Sequence, residues 1–198
     1  MPQTIEELHD KIGNLAREIV KILKKENCLL GLSESITGGQ ISAFLTRIDG
    51  CSKVLFGSQV VYSPLAKSSL CKIPMDDIEK HGTVSEYTVN KMNASMADRV
   101  LSIMKEVRAK SHFDLPTYII TVATSGVAGD SIEGKPNGFV IIGIKLDKIN
   151  HSPALTKIEL LSLVSNFNFS GNREEIILQA SFHGLKSILQ LPIFKKSD

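Results

Sequence analysis

The feature that most constrains this chain is a turn of small residues set between an apolar run and a helical one. Cys28-Leu29-Leu30-Gly31-Leu32 reads as a short buried strand. Ser33-Glu34-Ser35-Ile36-Thr37-Gly38-Gly39 follows, and then Ile41, Phe44 and Leu45 recur at helical spacing over 40–46. A strand that passes directly into a helix has to fold that helix back onto its own sheet, which points to an α/β layered fold. The turn also lifts a side chain to the sheet edge and aims the backbone N–H groups of the helix start at whatever binds there. Ser35 therefore stands where a nucleophile would stand, or where an anion would bind.

The rest of the chain supports layers. Thr4 and Glu7 form a capping-box pattern before the stripe Leu8, Ile12, Leu15, Ile19, Ile22 and Leu23, a helix that ends near Asn27. A second strand is predicted over 54–62, stopped by Ser63-Pro64. Pro64 then opens a helix that carries Lys67 and ends before Pro74. A short helix is predicted over 75–80. Ser85 caps a long one with the stripe Val89, Met92, Met96, Val100, Ile103 and Val107. Three strands follow at 117–123, 139–145 and 157–163, then a closing helix over 172–189 and a polar tail, Lys195 to Asp198. Strands in succession with short connections pair antiparallel. The prediction is an α/β fold, a three-layer α/β/α sandwich with a mixed sheet, in which residues 1–198 form a single domain.

Composition excludes several functions. With 23 basic and 21 acidic residues the net charge is +2, which makes no electrostatic case for nucleic acid or a membrane surface. No apolar stretch is long enough to span a bilayer. The start of the chain is acidic and polar, unlike a secretory signal. Cys28, Cys51 and Cys71 are odd in number and form no CxxC pair, so the expectation is a reducing, cytoplasmic location and no metal site.

Four polar loops interrupt the pattern, at 33–39, 62–67, 81–86 and 124–138; the last holds Gly126, Gly129, Gly134 and Gly138. A serine nucleophile needs a base. His9, His81, His112, His151 and His183 show no local triad signature, and the G-x-S-x-G elbow is absent. A lysine serves if burial lowers its pKa, and Lys67, in the first turns of a helix whose electropositive start also disfavours the ammonium, is the candidate. Tyr62, five residues earlier, would relay or orient. Plainer readings stand beside this one: Ser35 and Thr37 cap a helix, Lys67 lies on a solvated face, and the glycine loop is a long turn. Spacing alone leaves a Ser/Lys hydrolase level with a nucleotide-binding module that lacks catalysis.

Taken together, the motifs resemble a known family. Glu34-Ser35-Ile36-Thr37-Gly38-Gly39 resembles the E-S-C-T-G-G signature of the CinA C-terminal domain, whose members include nicotinamide mononucleotide amidohydrolases. Residues 57–67 resemble its Gly-to-Tyr-x-x-x-x-Lys stretch, with Tyr62 and Lys67 in place. His81-Gly82-Thr83-Val84-Ser85-Glu86 matches H-G-x-V-S-E, Thr124-Ser125-Gly126-Val127-Ala128-Gly129 resembles T-G-x-A-G-P, and Lys135-Pro136-Asn137-Gly138 resembles K-P-x-G. Gly171-Asn172-Arg173 resembles G-x-R.

The resemblance implies a Ser/Lys amidase, in its stand-alone form, that needs no cofactor. Ser35 would attack the carboxamide of nicotinamide mononucleotide. Lys67 would take the serine proton and pass it to departing ammonia, with Tyr62 supporting Lys67 or the leaving group. Backbone N–H groups near Thr37, Gly38 and Gly39 would hold the oxyanion, Ser125 and Gly126 would line the substrate site, and Arg173 would hold the phosphate. The expected partner is this small nucleotide, and not nucleic acid or membrane. A homo-oligomer is a further expectation, because glycine-rich sites in small α/β enzymes often lie at subunit interfaces. The chain departs from the pattern at Ile36, Asp130, Asn137 and Ile177, the last standing where a second arginine is frequent. Asp130 and Ile177 argue for the alternative, a diverged nucleotide-binding or protein-interaction module.

Overall fold

A computed structural model describes residues 4–110, 115–152 and 154–194. His112 and the tail from Lys195 to Asp198 lie outside the described residues. The chain opens with helix α1 (Ile5–Lys25), whose Thr4–Glu7 capping box forms as predicted. Strand β1 (Cys28–Glu34), helix α2 (Gln40–Thr46), strand β2 (Leu55–Val60), helices α3 (Pro64–Cys71), α4 (Met75–His81) and α5 (Glu86–Lys110) follow. Strands β3 (Tyr118–Gly126), β4 (Phe139–Asn150) and β5 (Thr156–Asn168) then precede helix α6 (Arg173–Leu189).

The sheet order is β2-β1-β3-β4-β5. Strand β1 pairs parallel with β2 and β3, while β3–β4 and β4–β5 are antiparallel. Helices α1, α2 and α6 cover one face and α5, with α3 and α4 beside it, the other. This is the mixed-sheet α/β/α sandwich that the succession of strands predicts. One apolar cluster, including Ile12, Ile19, Leu30, Val122 and Leu185, fills the first interlayer space; two smaller ones around Met92 and Met96 fill the second. The central position of β1 explains its near-continuous apolar run.

Boundaries differ in instructive ways. Strand β4 runs five residues past the predicted 139–145, because Lys145 and Asp147 are buried as an ion pair at 3.2 Å instead of ending the strand in solvent. Strand β5 also extends beyond 157–163; as an exposed edge strand it shows little of the burial contrast that periodicity needs. In α5, Ile103 is exposed and Met104 takes the inner position, since 3.6 residues per turn drift over so long a helix. Strand β2 stops at Val60, and Val61 keeps a last bond to β1, its N–H donating to the Glu34 carbonyl at 2.8 Å, before Tyr62 leads into α3. That exit shapes the site.

Candidate active site

The carboxyl end of β1, the start of α3, the 82–85 segment, the end of β3 and the start of α6 converge on one cavity of about 300 Å³. Its lining includes Ser35, Tyr62, Lys67, Ser125, Gly126 and Arg173, six of the nine residues singled out from sequence. A slightly larger cavity of about 330 Å³ lies between β4, β5 and α6 and contains none of them.

Glu34 is the keystone of the Ser35 turn. The carboxylate is fully buried. It accepts the N–H groups of Gly39 (3.0 Å), Ile41 (3.1 Å) and Ser42 (3.0 Å) and the hydroxyls of Thr37 (2.8 Å) and Ser58 (2.9 Å). It thus satisfies the open donors at the start of α2, where Gly39, in the left-handed region at φ 96°, offers no side-chain cap. Ser35 itself donates its N–H to the Thr124 carbonyl at 3.0 Å, which ties the turn to β3.

Lys67 meets Ser35 directly. Its Nζ lies 2.8 Å from Ser35 Oγ and 3.0 Å from the Val61 carbonyl, to which it donates. No backbone N–H among the described residues takes this carbonyl, because β1 has already ended at Glu34. Lys67 is 2 % exposed, so the solvated-face reading fails. Burial lowers its pKa from 10.5 to about 8, against weaker upward pulls from Cys71 and Glu133. Burial, the cause expected from sequence, is thus the dominant one.

Three expectations need correction. Tyr62 does not support Lys67: it is 56 % exposed and its hydroxyl accepts from Arg173. Gly38 and Gly39 have no N–H to spare for an oxyanion, because they donate to the Ser35 carbonyl and to Glu34. Thr37 is fully buried, and its hydroxyl is spent on Glu34 and Thr124, outside the cavity lining. Instead, the N–H groups of Ile36 and Thr37 carry no acceptor among the described residues.

Arg173 is the first residue of α6 and donates to the Ala128 carbonyl as well as to Tyr62. Of the five guanidinium N–H donors two are used, which leaves three for a ligand. The N-terminus of α6 is closed by its own Asn172–Glu175 capping box, so the helix dipole is already complemented by acidic side chains. Ile177 is half-buried, packed against the apolar cluster under α6. Asn137 Oδ1 accepts the Gly129 N–H at 2.7 Å and closes the neck of the glycine loop. Ser125 donates to the Thr83 carbonyl at 2.9 Å. Ile36, Thr83, Val84, Ala128, Asp130 and Ile132 complete the lining; of these, Thr83 and Val84 lie in a loop that the sequence marks without making them site residues. Among the described residues no group of three His, Cys, Asp or Glu stands where it would hold a metal ion. None of their helices is long and apolar enough to cross a membrane.

Comparison with known proteins points the same way. The family model of the CinA C-terminal domain matches residues 12–191. A competence-damage inducible protein of Streptococcus pneumoniae is 34 % identical over 136 residues, which cover 68 % of this chain and 29 % of that protein. The chain thus spans less than a third of the length of the curated relatives it matches. Among solved structures, the competence/damage inducible protein CihA from Agrobacterium tumefaciens superposes with a TM-score of 0.70 at 24 % identity, covering 91 % of this chain and 94 % of that one. A CinA superfamily protein from Escherichia coli gives 0.71 at 20 % identity, covering 96 % and 94 %. These two likenesses concern the fold.

Proposed function

The chain belongs to the CinA C-terminal domain family, and from that premise we propose that it is an amidohydrolase that converts nicotinamide mononucleotide to nicotinate mononucleotide and ammonia. The observation that carries the reading is the Ser35–Lys67 pair, 2.8 Å apart and buried at the head of one cavity. A lysine with a pKa near 8 supplies a neutral amine to a useful fraction of molecules near neutral pH.

The neutral Lys67 amine keeps one N–H on the Val61 carbonyl and turns its lone pair to Ser35. The Ser35 oxygen attacks the carboxamide carbon and its proton moves to Nζ. The oxyanion is held by the N–H of Ile36, which lines the cavity. Collapse breaks the C–N bond, and the nitrogen takes the proton from Nζ and leaves as ammonia. Water then adds to the acyl-enzyme with Lys67 as base, which releases the carboxylate and restores Ser35. Arg173 holds the phosphate with its unused donors. Three free, buried cysteines suit a reducing compartment, so we place the reaction in the cytoplasm, in pyridine nucleotide salvage.

Ammonia release from nicotinamide mononucleotide tests this. Wild type turns the compound over, and Ser35→Ala loses activity by about a thousandfold or more while its circular dichroism is unchanged. No ammonia from wild type overturns the substrate; equal turnover by the mutant overturns the nucleophile.

A further inference from the structure

The glycine-rich segment over 127–138 forms the outer wall of the cavity through Ala128, Asp130 and Ile132. At its tip, Ile132 and Lys135 exchange backbone hydrogen bonds of 3.2 and 2.9 Å, which closes a two-residue turn. Its central residues, Glu133 (φ 53°) and Gly134 (φ 72°), both lie in the left-handed region. Such turns favour Asn-Gly or Asp-Gly, because a longer side chain is disfavoured at positive φ. A glutamate here is locally unfavourable, and its partners lie fifty residues away.

Its carboxylate accepts the N–H and the hydroxyl of Thr83, both at 2.7 Å, and the N–H of Val84 at 3.2 Å. Lys135 stands 3.8 Å from it. Burial pushes the carboxyl up, but the hydrogen bonds from Thr83 and Val84 and the Lys135 ammonium outweigh that and hold it below its ordinary value. Thr83 and Val84 line the cavity, and Thr83 also receives Ser125. A second observation fits. A Cβ on Gly82 would lie 2.4 Å from Glu133 Oε2, so the glycine of the His81-Gly82-Thr83 run makes room for this carboxylate.

We infer that Glu133 is a positioning residue: it fastens the glycine loop to the 82–85 segment and so sets the wall against which the substrate lies, beside Ser35 but apart from it. The inference rests on the amidase reading for the identity of the substrate, and not for the existence of the fastening. The Ser35–Lys67 pair is anchored by other elements, so loosening the wall weakens binding and spares bond-making.

Two readouts on Glu133→Ala test it, with Glu133→Gln as the conservative variant. Amide exchange of Thr83 and Val84 should speed up by about tenfold or more in the alanine variant. KM for nicotinamide mononucleotide should rise by about tenfold with kcat within about threefold, and Glu133→Gln, which keeps an acceptor oxygen, should fall between. Unchanged exchange overturns the fastening. Faster exchange with unchanged KM overturns its role in the site. If wild type does not turn the nucleotide over, the amidase reading has failed. The wall is then judged by labelling of Ser35 with small and bulky sulfonyl fluorides. Faster labelling by the bulky reagent alone supports the inference, and equal changes or none overturn it.

Discussion

The two walls of the cavity are each held by one glutamate, and they are held differently. On the inner wall Glu34 is fully buried and gathers five donors from the turn it belongs to, from α2 and from β2. On the outer wall the Glu133 side chain is 31 % exposed and gathers three donors from the 83–84 segment. A carboxylate with no access to water cannot lose its partners without leaving several N–H groups unsatisfied, whereas an exposed one exchanges them for water. The nucleophile thus sits on the wall that cannot yield, and the substrate-facing loop on the wall that can. Groups that make bonds need fixed geometry, while a binding wall tolerates adjustment.

The largest effect should come from disabling the inner wall's chemistry. Lys67→Met should lower kcat/KM by about a thousandfold or more, and in wild type kcat/KM should rise with pH through about 8 as the amine is freed. A flat profile from about pH 6 to 9 would exclude Lys67 as the base. Stability should move the same way. Burial lowers Lys67 from 10.5 to about 8, so between those values the unfolded chain binds more protons and wild-type stability rises with pH. The cost of burying the ammonium is full below about pH 8 and gone above about pH 10.5. The melting temperature of Lys67→Met relative to wild type should accordingly be higher near pH 7 than near pH 10.

Next comes the contrast between the walls themselves. Glu34→Ala should cost on the order of 3 kcal/mol or more, seen as a fall of roughly 10 °C in melting temperature. Glu133→Ala should move it by no more than about 3 °C. Equal losses in calorimetry would mean that the two glutamates are structurally equivalent and that the contrast fails.

The smallest effect should come from Tyr62. Its hydroxyl accepts from Arg173 at the solvent edge, so Tyr62→Phe should raise KM by about threefold and leave kcat unchanged. Arg173→Ala should raise KM further and erase the preference for nicotinamide mononucleotide over its riboside. A fall in kcat in Tyr62→Phe would return the tyrosine to the inner wall as a partner of Lys67.

The sequence by itself determined the layered α/β/α fold, the strand-turn-helix at Ser35, the cap of α1 and the helix that carries Lys67. These follow from periodicity and turn chemistry within a few residues, where the chain is its own context. It also singled out Ser35 and Lys67, 32 residues apart, as a pair. Only the tertiary structure decided that the Val61 carbonyl would meet Lys67, and that Glu34 would claim the N–H of Gly39. It likewise decided that Tyr62 would turn to Arg173, 111 residues away, and Glu133 to Thr83. A polar group has several partners within reach of its type, and which one it meets depends on how separate segments pack. The same holds for Lys145 and Asp147, read as a strand end but buried as a pair. Charge pattern announces that such groups need partners, and packing alone supplies them.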